Sequence, residues 1–200
     1  MIIGLEGVSC VGKTTLANAL ADRLPAVAVA CYFHAAPDPS WLPEPTAATA
    51  AEQLDNLVQL LRVEALRRHT VVQAVTDGHT VILDRTVDTL LAHAHAMGRL
   101  YSFDCDEQAR AMVLSGPAVI PDLTLLLSAD PAEVAVRASR RVDMPVIFYE
   151  PRFTAHFHEH FAQPLASHCV RLESTTTPED VVKLALDVIT RPGVGVGATA

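Results

Sequence analysis

The sequence has little of what marks secreted, membrane-spanning or metal-knuckle proteins. Its 4 cysteines stand far apart with no C-x-x-C pair, which argues against both a zinc knuckle and a disulfide framework. No apolar run approaches the roughly 20 residues that span a bilayer, and no charged leader precedes the first apolar run at Ile2. We therefore expect a cytoplasmic protein with no membrane partner.

Charge is also sparse, and it carries the wrong sign for nucleic acid. Charged residues make up 19% of the chain and the formal net charge is -8, with the basic residues in short local groups. A nucleic-acid-binding protein usually presents a basic stripe, so we expect no nucleic-acid partner. The 50% of hydrophobic residues suffices for one core in a chain of this length. We predict one domain over residues 1–190 and a flexible, glycine-rich tail over 191–200.

Short apolar runs rich in β-branched residues alternate with longer stretches of helical periodicity. This alternation predicts an α/β fold with a parallel sheet covered by helices on both faces. Because the runs are almost continuously apolar, they are typical of strands buried on two sides. The predicted strands are Ile2–Glu6, Ala26–Cys31, Thr80–Asp84, Leu123–Ser128 and Cys169–Leu172.

Apolar spacing of three and four residues predicts the helices. Asp130 before Pro131 and Thr177 before Pro178 are N-cap and first-turn proline signals. Residues 35–45 hold several prolines and the single tryptophan, and are predicted as a structured loop or lid. The predicted helices are Lys13–Leu24, Thr49–Val75, Val87–Met97, Asp104–Leu114, Pro131–Val142, Phe148–Ser167 and Pro178–Ile189.

A phosphate-binding motif stands between the first predicted strand and the first predicted helix. Residues 7–14 satisfy G-x-x-x-x-G-K-[ST], the pattern of the P-loop, in the strand-to-helix context that the chemistry requires. Backbone amides and the helix N-terminus attract phosphate oxygens there. Lys13 is expected to reach the β and γ phosphates, and the hydroxyl of Thr14 to bind Mg²⁺. The predicted nucleotide-binding residues are Gly7, Val8, Ser9, Cys10, Val11, Gly12, Lys13, Thr14 and Thr15.

The chain resembles the thymidylate kinase and deoxynucleoside kinase group of P-loop phosphotransferases. The resemblance rests on Leu5-Glu6-Gly7 ahead of the loop, on the segment from Asp84-Arg85 to Ala94, which is similar to D-R-x-x-x-S-x-x-A-Y-Q, and on residues 121–131. It implies a three-layer P-loop fold of the nucleoside triphosphate hydrolase type, with a five-stranded sheet in the order 2-3-1-4-5. It also implies ATP and Mg²⁺ as cofactors, and it leaves a homodimer open.

The resemblance, together with physical reasoning, assigns roles around this motif. A carboxylate at the end of a strand beside a phosphate loop is placed to hold Mg²⁺, which favours Asp84. Arg85 is expected to clamp a phosphate of donor or acceptor. Arg137, Arg140 and Arg141, spaced to share one helix face, are similar to the arginines of the family's lid, here residues 137–148. Arg137 and Arg141 are the catalytic candidates, and the open alternative is a solvated basic face.

The acceptor side is marked by the segment after the second strand. Glu44-Pro45 is similar to the E-P pair found there in the group, so Glu44 is a candidate catalytic base, with an ordinary loop glutamate as the alternative. Trp41 or Phe33 is a candidate to stack on a base. His93 replaces a tyrosine of the family motif and is a candidate substrate contact, or else a histidine on a helix face.

The sequence departs from the family both in the phosphate loop and where thymine is recognised. Ser9 and Cys10 replace the usual aspartate and glycine, Thr46-Ala47 replaces a glycine pair, and Ala94 replaces a glutamine. We expect an ATP-dependent kinase of a nucleoside or nucleoside monophosphate, including a modified one. The alternatives are a kinase of a non-nucleotide alcohol such as an antibiotic, and a nucleotide-binding switch; the chain lacks the D-x-x-G and N-K-x-D elements of such switches.

Overall fold

A five-stranded parallel sheet organises the chain. The computed structural model describes residues 1–142, 144–174 and 177–191. The strand order is β2-β3-β1-β4-β5, as the family resemblance implied, and helices surround the sheet. The α/β fold and this strand order are therefore confirmed. The strands are β1 Ile2–Glu6, β2 Ala26–Val29, β3 Thr80–Asp84, β4 Leu123–Ser128 and β5 Cys169–Glu173.

The three middle strands form the inner layer of the core. β1, β3 and β4 are buried over almost their whole length, whereas β2 and β5 at the edges are only partly buried. Parallel strands covered on both faces require continuous apolar sequence, which these three runs supply. β1 lies between β3 and β4, with Leu5 opposite Asp84 on one side and Leu125 on the other. The carboxyl ends of β1 and β3 therefore meet at one edge of the sheet.

Helix starts follow the capping signals of the sequence. The side chain of Asp130 accepts a hydrogen bond from the Ala132 amide at 2.7 Å, and Thr177 accepts one from the Asp180 amide at 3.3 Å; each satisfies a free amide of the first turn. In the described residues the helices are α1 Lys13–Arg23, α2 Tyr32–Ala35, α3 Ala50–Thr76, α4 Val87–Tyr101, α5 Asp106–Ser115, α6 Pro131–Ala138, α7 Pro151–His160 and α8 Pro178–Ile189.

Three predicted helices are wrong in extent. The helix predicted to end at Met97 continues to Tyr101. The helix predicted to reach Val142 ends at Ala138, where the Ser139 hydroxyl donates to the Val136 carbonyl at 2.9 Å and competes with the backbone ladder. The helix predicted over 148–167 is a 3₁₀ turn over Val146–Tyr149 followed by α7, because Pro151 has no amide hydrogen and starts a new helix. Consequently Arg140 and Arg141 do not share a helix face with Arg137.

Smaller differences occur between β2 and α3, where short helical elements replace part of the predicted loop. β2 ends at Val29, α2 follows at once, and Pro39–Trp41 forms a 3₁₀ turn capped by the Asp38 side chain. Residues 192–200 of the predicted tail lie outside the described residues. Among the residues that are described, no helix combines the length and the apolar character needed to cross a membrane.

Candidate active site

The loop between β1 and α1 has the backbone conformation of a tight phosphate loop. Gly7, Cys10 and Gly12 all have positive φ angles, of 129°, 66° and 100°. A side chain at Gly7 would place Cβ 2.3 Å from the carbonyl oxygen of Leu127, so only glycine fits there. Gly12 is the N-cap of α1 and brings no side-chain cap to the first amides of the helix. This helix N-terminus is therefore open to an anion.

Lys13 lies folded onto this loop. Its Nζ donates to the carbonyl oxygens of Gly7 at 2.8 Å and Val8 at 2.6 Å, and the side chain is buried. Burial, assisted by the nearby charge of Arg85, lowers the pKa of Lys13 to about 7, against the opposing effect of Asp84. When a polyphosphate binds, its negatively charged oxygens would take the place of these two carbonyls as the hydrogen-bond acceptors of Lys13.

Thr14 and Asp84 form a hydroxyl–carboxylate pair at the carboxyl edge of the sheet. Thr14 Oγ1 donates to Asp84 Oδ2 at 2.6 Å. The other carboxylate oxygen, Oδ1, is buried and has no hydrogen-bond partner in the part of the chain that the structure describes. A buried carboxylate oxygen without a donor is costly. A hard cation or its water would satisfy it, and oxygen ligands of this kind suit Mg²⁺.

Arg85 completes the cluster. Its backbone has φ 68°, in the left-handed region. Its guanidinium donates from Nη1 to the carbonyl oxygen of Gly7 at 3.3 Å and to Thr89 Oγ1 at 3.4 Å, and from Nη2 to Ser9 Oγ at 3.3 Å. The structure thus brings Lys13, Thr14 and Arg85 around one loop.

Of the three predicted lid arginines, Arg137 contacts the phosphate loop. Its guanidinium donates to the carbonyl oxygens of Cys10 at 3.5 Å and Ser174 at 2.9 Å, and forms an ion pair with Glu133 at 3.0 Å. It therefore joins the loop to the end of β5. Arg140 and Arg141 follow the helix and are exposed, so they are not placed at the loop in this conformation.

The acceptor-side candidates each have their own surroundings. Glu44 is exposed, and its backbone carbonyl accepts from Asn56. Trp41 has the guanidinium of Arg62 over its ring, 4.3 Å from the centroid. Phe33 is 71% exposed. The Glu44 and Phe33 side chains are accessible to a ligand, and Trp41 is partly buried.

His93 holds the loop that carries Glu44. Because a proline carbonyl only accepts, the 3.1 Å contact means that His93 Nε2 donates to the Pro45 oxygen. The imidazole also lies edge-on to Phe153, with ring centroids 5.5 Å apart. Burial lowers the pKa of His93 to about 4, so the ring is neutral near pH 7. Its observed role is to tie α4 to the loop after β2.

Three buried charged residues around the site escaped the sequence interpretation. Glu6 is fully buried at the end of β1, and Glu64 with Arg67 forms a buried ion pair of 2.7 Å on α3. The sequence does contain a sign of them, because these charged residues occupy positions where apolar residues are expected. Glu64 and Arg67 stand on the stripe of α3 that also buries Leu57 and Val71, where apolar residues are the rule.

Comparisons with known proteins agree with this geometry. The sequence profile of the thymidylate kinase family matches residues 5–184. The chain belongs to the thymidylate kinase family. A probable thymidylate kinase of Halorubrum lacusprofundi is 29% identical over 94% of this chain and 97% of its own length. The thymidylate kinase of Deinococcus radiodurans is 34% identical over 70% of each chain.

Solved structures show the same fold. The deoxyadenosine kinase from M. mycoides with bound dATP has a TM-score of 0.67 at 12% identity and covers 96% of this chain and all of its own, 100%. The thymidylate kinase from Candida albicans has a TM-score of 0.62 at 21% identity, covering 94% of this chain and 90% of its own. As a member of the thymidylate kinase family, the protein is an ATP-dependent nucleotide kinase. Neither alternative, the non-nucleotide kinase or the switch, gains support from these comparisons.

Proposed function

We propose that the protein transfers the γ-phosphoryl group of MgATP to the phosphate of a nucleoside monophosphate in the cytoplasm. The observation that carries this proposal is the cluster of Lys13, Thr14, Asp84 and Arg85 around the loop of residues 7–12. It combines a phosphate cradle, two cations and a hydroxyl–carboxylate pair at one edge of the sheet. Phosphoryl transfer needs such positioning and charge stabilisation and no covalent intermediate.

Thr14 and Asp84 are the residues that would hold the metal ion. The free oxygen of Asp84 and the hydroxyl of Thr14 fit the oxygen-rich ligand set of Mg²⁺. When bound, Mg²⁺ neutralises charge on the β and γ phosphates. The Thr14 oxygen would bind the ion through a lone pair, so its hydroxyl could keep donating its proton to Asp84. The ion would then be held from the start of α1 and the end of β3.

The cations divide the phosphate charge among them. Lys13 leaves the carbonyls of Gly7 and Val8 and pairs with the β and γ phosphates of the donor. Arg85 lies on the same loop next to β3 and is placed for the acceptor phosphate or the group in flight. Arg137 approaches from the β5 side through its contact with Cys10. With Arg141 of the lid, it would enclose the charge that spreads over the transferring group.

The acceptor is proposed to be a nucleoside monophosphate whose base is read differently from thymine in typical relatives. His93 donates to the Pro45 carbonyl and lies against Phe153, which supports a role in shaping the acceptor loop more than in reading a base. Because a phosphate acceptor is already ionised near pH 7 and needs no catalytic base, Glu44 is proposed as a contact of the acceptor on that loop. Trp41, on the same loop, is the candidate stacking partner. Ala94 is buried and offers no polar group to a base.

A coupled assay of ADP release tests the acceptor. Purified protein with MgATP is given dTMP, dUMP, their 5-substituted forms and other monophosphates, then the matching nucleosides and unrelated alcohols. We expect stimulation by at least one monophosphate, with transfer of labelled γ-phosphate to yield the diphosphate. Lys13→Ala serves as the inactive control. Stimulation confined to nucleosides or other alcohols, or binding of ATP without any acceptor effect, would reject the proposal.

The pairing of two copies is also part of the proposal. Several apolar side chains on the outer face of α3 are exposed, including Val58 at 49%, Leu66 at 43% and Val72 at 53%. A long helix with such a stripe supports an interface between copies of this chain. Sedimentation equilibrium of the wild type and of Leu66→Glu measures it. A monomeric wild type at micromolar concentration would contradict it.

A further inference from the structure

One peptide unit of the site, between Arg85 and Thr86, lies between two buried side chains of opposite charge. The carbonyl oxygen of Arg85 accepts from Arg67 Nη2 at 2.6 Å. The amide of Thr86 donates to Glu6 Oε1 at 2.7 Å. Arg67 is 2% exposed and Glu6 is 0% exposed. Both polar groups of this peptide are therefore held by charge-assisted hydrogen bonds, the stronger class of such bonds.

Arg67 also joins the ends of two neighbouring strands. Its Nε donates to the Ala30 carbonyl after β2 at 2.9 Å, and its Nη2 also donates to the Asp84 carbonyl at the end of β3 at 3.2 Å. Glu64 pairs with Nη1 at 2.7 Å, and the ring of Tyr32 lies 4.3 Å from the guanidinium carbon. The planar guanidinium is thus fixed on its edges and on one face.

Glu6 fixes the same turn from the opposite side. Its Oε1 also accepts from Thr86 Oγ1 at 2.8 Å and from the Thr89 amide at 3.1 Å, and its Oε2 accepts from the Thr89 hydroxyl. Burial raises the pKa of Glu6, while these donors and the charge of Arg85 act against that rise. The first turn of α4 is therefore anchored to the last residue of β1.

The held peptide follows a residue in a disfavoured conformation. Arg85 has φ 68°, a region that residues with a Cβ seldom occupy because of clashes with the backbone. Such a conformation persists only when its surroundings impose it. It directs the Arg85 side chain to Gly7 and Ser9 of the phosphate loop. The two buried charges supply the constraint at the peptide that follows.

We propose that Arg67 and Glu6 are positioning residues that together hold the Arg85–Thr86 peptide, and through it the Arg85 guanidinium and the Asp84 carboxylate. Arg67 and Glu6 together form the peptide clamp. Neither side chain touches the reacting groups. The proposal rests on the proposed function to the extent that Arg85 and Asp84 act on phosphate and metal. The competing explanation is that these charges only stabilise the fold.

Arg67→Lys separates the two explanations, with Arg68→Lys as the matched control. Lysine keeps the positive charge for Glu64, but one ammonium group cannot reach three carbonyls in the fork geometry of a guanidinium. Arg68 is the next residue on α3 and is exposed. We expect Arg67→Lys to lower kcat/KM for the monophosphate about a hundredfold, while the Kd for metal-free ADP stays within about twofold because the phosphate loop is intact.

Two results would overturn the peptide clamp. One is unchanged kcat/KM in folded Arg67→Lys. The other is a loss of ADP affinity and of kcat/KM by the same factor, matching the unfolded fraction measured by circular dichroism. The second result would mean that Arg67 contributes only to the stability of the fold. Arg68→Lys must behave as wild type in both assays for the comparison to hold.

Glu6 supplies a second test through a conservative variant. Glu6→Gln keeps a carbonyl oxygen for the Thr86 amide, whereas Glu6→Met has the same length and no acceptor of comparable strength. We expect Glu6→Gln to retain at least about tenfold more kcat/KM than Glu6→Met. Equal activity of the two variants would contradict the role of Glu6.

A crystal structure of Arg67→Lys gives a readout that needs no activity. We expect Arg85 to leave the left-handed region or its guanidinium to leave the phosphate loop. If both stay in place, the peptide clamp is wrong even when the wild type is an active monophosphate kinase. If the wild type phosphorylates no monophosphate, the proposed function fails. The peptide clamp is then tested only by the conformation of Arg85 in the crystal structure of Arg67→Lys.

Discussion

Lys13 and Arg85 donate hydrogen bonds to the same acceptor, the carbonyl oxygen of Gly7, at 2.8 and 3.3 Å. Two cations that converge on one carbonyl repel each other, and this repulsion adds to burial in lowering the pKa of Lys13 to about 7. A neutral acceptor cannot balance both charges. A polyphosphate can, so this pair is arranged for a ligand that brings negative charge.

This arrangement predicts that nucleotide binding takes up a proton. At pH 8 a lysine with a pKa near 7 is about nine-tenths neutral, and the phosphates of ADP raise its pKa and recharge it. We expect an uptake of close to one proton per ADP at pH 8 and much less at pH 6. Calorimetry in buffers of different ionisation enthalpy measures this number.

The control for proton uptake is to remove each of two lysines in turn, one in the site and one outside it. Lys13→Met is expected to abolish the uptake, whereas Lys183→Met, at an exposed position on α8, leaves it unchanged. The affinity of the wild type for ADP should weaken as the pH rises above 7, since the free protein must first bind the proton. An uptake that persists in Lys13→Met would place the titrating group elsewhere.

Asp84→Asn is expected to separate metal-dependent from metal-independent binding. The amide keeps the volume and one oxygen but loses the charge that a divalent cation requires. We expect kcat to fall about a hundredfold to a thousandfold, while ADP without metal binds as in the wild type. Asp77→Asn, after the end of α3, is the matched control. Wild-type activity in Asp84→Asn at low Mg²⁺ would remove Asp84 from the metal site.

The parts of the site that the sequence predicts are those encoded by neighbouring residues. Gly7 to Thr14 and Asp84-Arg85 are contiguous motifs at strand ends, so once the strands are predicted their meeting at one edge follows. The middle strands agree with the prediction to the residue because short apolar runs such as Val81–Leu83, bounded by polar residues, are best buried inside a parallel sheet.

The remainder depends on tertiary contacts that no local pattern contains. Arg67 is an ordinary arginine in the sequence of a long helix, and its function arises from carbonyls 17 and 18 residues later in the chain. The end of α6 is not visible in the sequence, because the apolar residues keep their helical spacing past Ser139. The helix ends there because the Ser139 hydroxyl competes for the Val136 carbonyl. His93 was predicted as a substrate contact, and its bond to Pro45 spans 48 residues.

His93 predicts a loss of stability in mild acid. Its pKa is lowered from 6.5 to about 4 in the folded protein, so between these values the unfolded chain binds a proton that the folded chain does not. The free energy of unfolding therefore falls as the pH drops from 6.5 to 4, by at most about 3 kcal/mol from this residue. Urea unfolding at each pH measures it.

A non-titrating donor tests that assignment. His93→Gln has an amide that can still donate to the Pro45 carbonyl, and we expect near wild-type stability at pH 7 and a smaller loss at pH 4.5. His69→Gln is the control, because His69 is exposed on α3. If both variants lose stability with the same pH dependence as the wild type, His93 is not the source.

The three arginines after β4 predict a graded series that reports on lid closure. Arg137 already contacts the loop through Cys10 and the end of β5 through Ser174, so its loss removes a cation from the site and a tie between two elements. We expect Arg137→Ala to lower kcat about a hundredfold and to raise the KM for ATP.

Arg141 is exposed beyond the end of α6 and acts only if the lid closes, so Arg141→Ala should lower kcat about tenfold with little change in KM. Arg140→Ala, which alters the adjacent exposed charge, should remain within about twofold of wild type. Steady-state kinetics with saturating acceptor distinguish these cases. Equal effects of Arg140→Ala and Arg141→Ala would mean that the segment contributes only general positive charge. An unchanged kcat in Arg137→Ala would exclude Arg137 from catalysis.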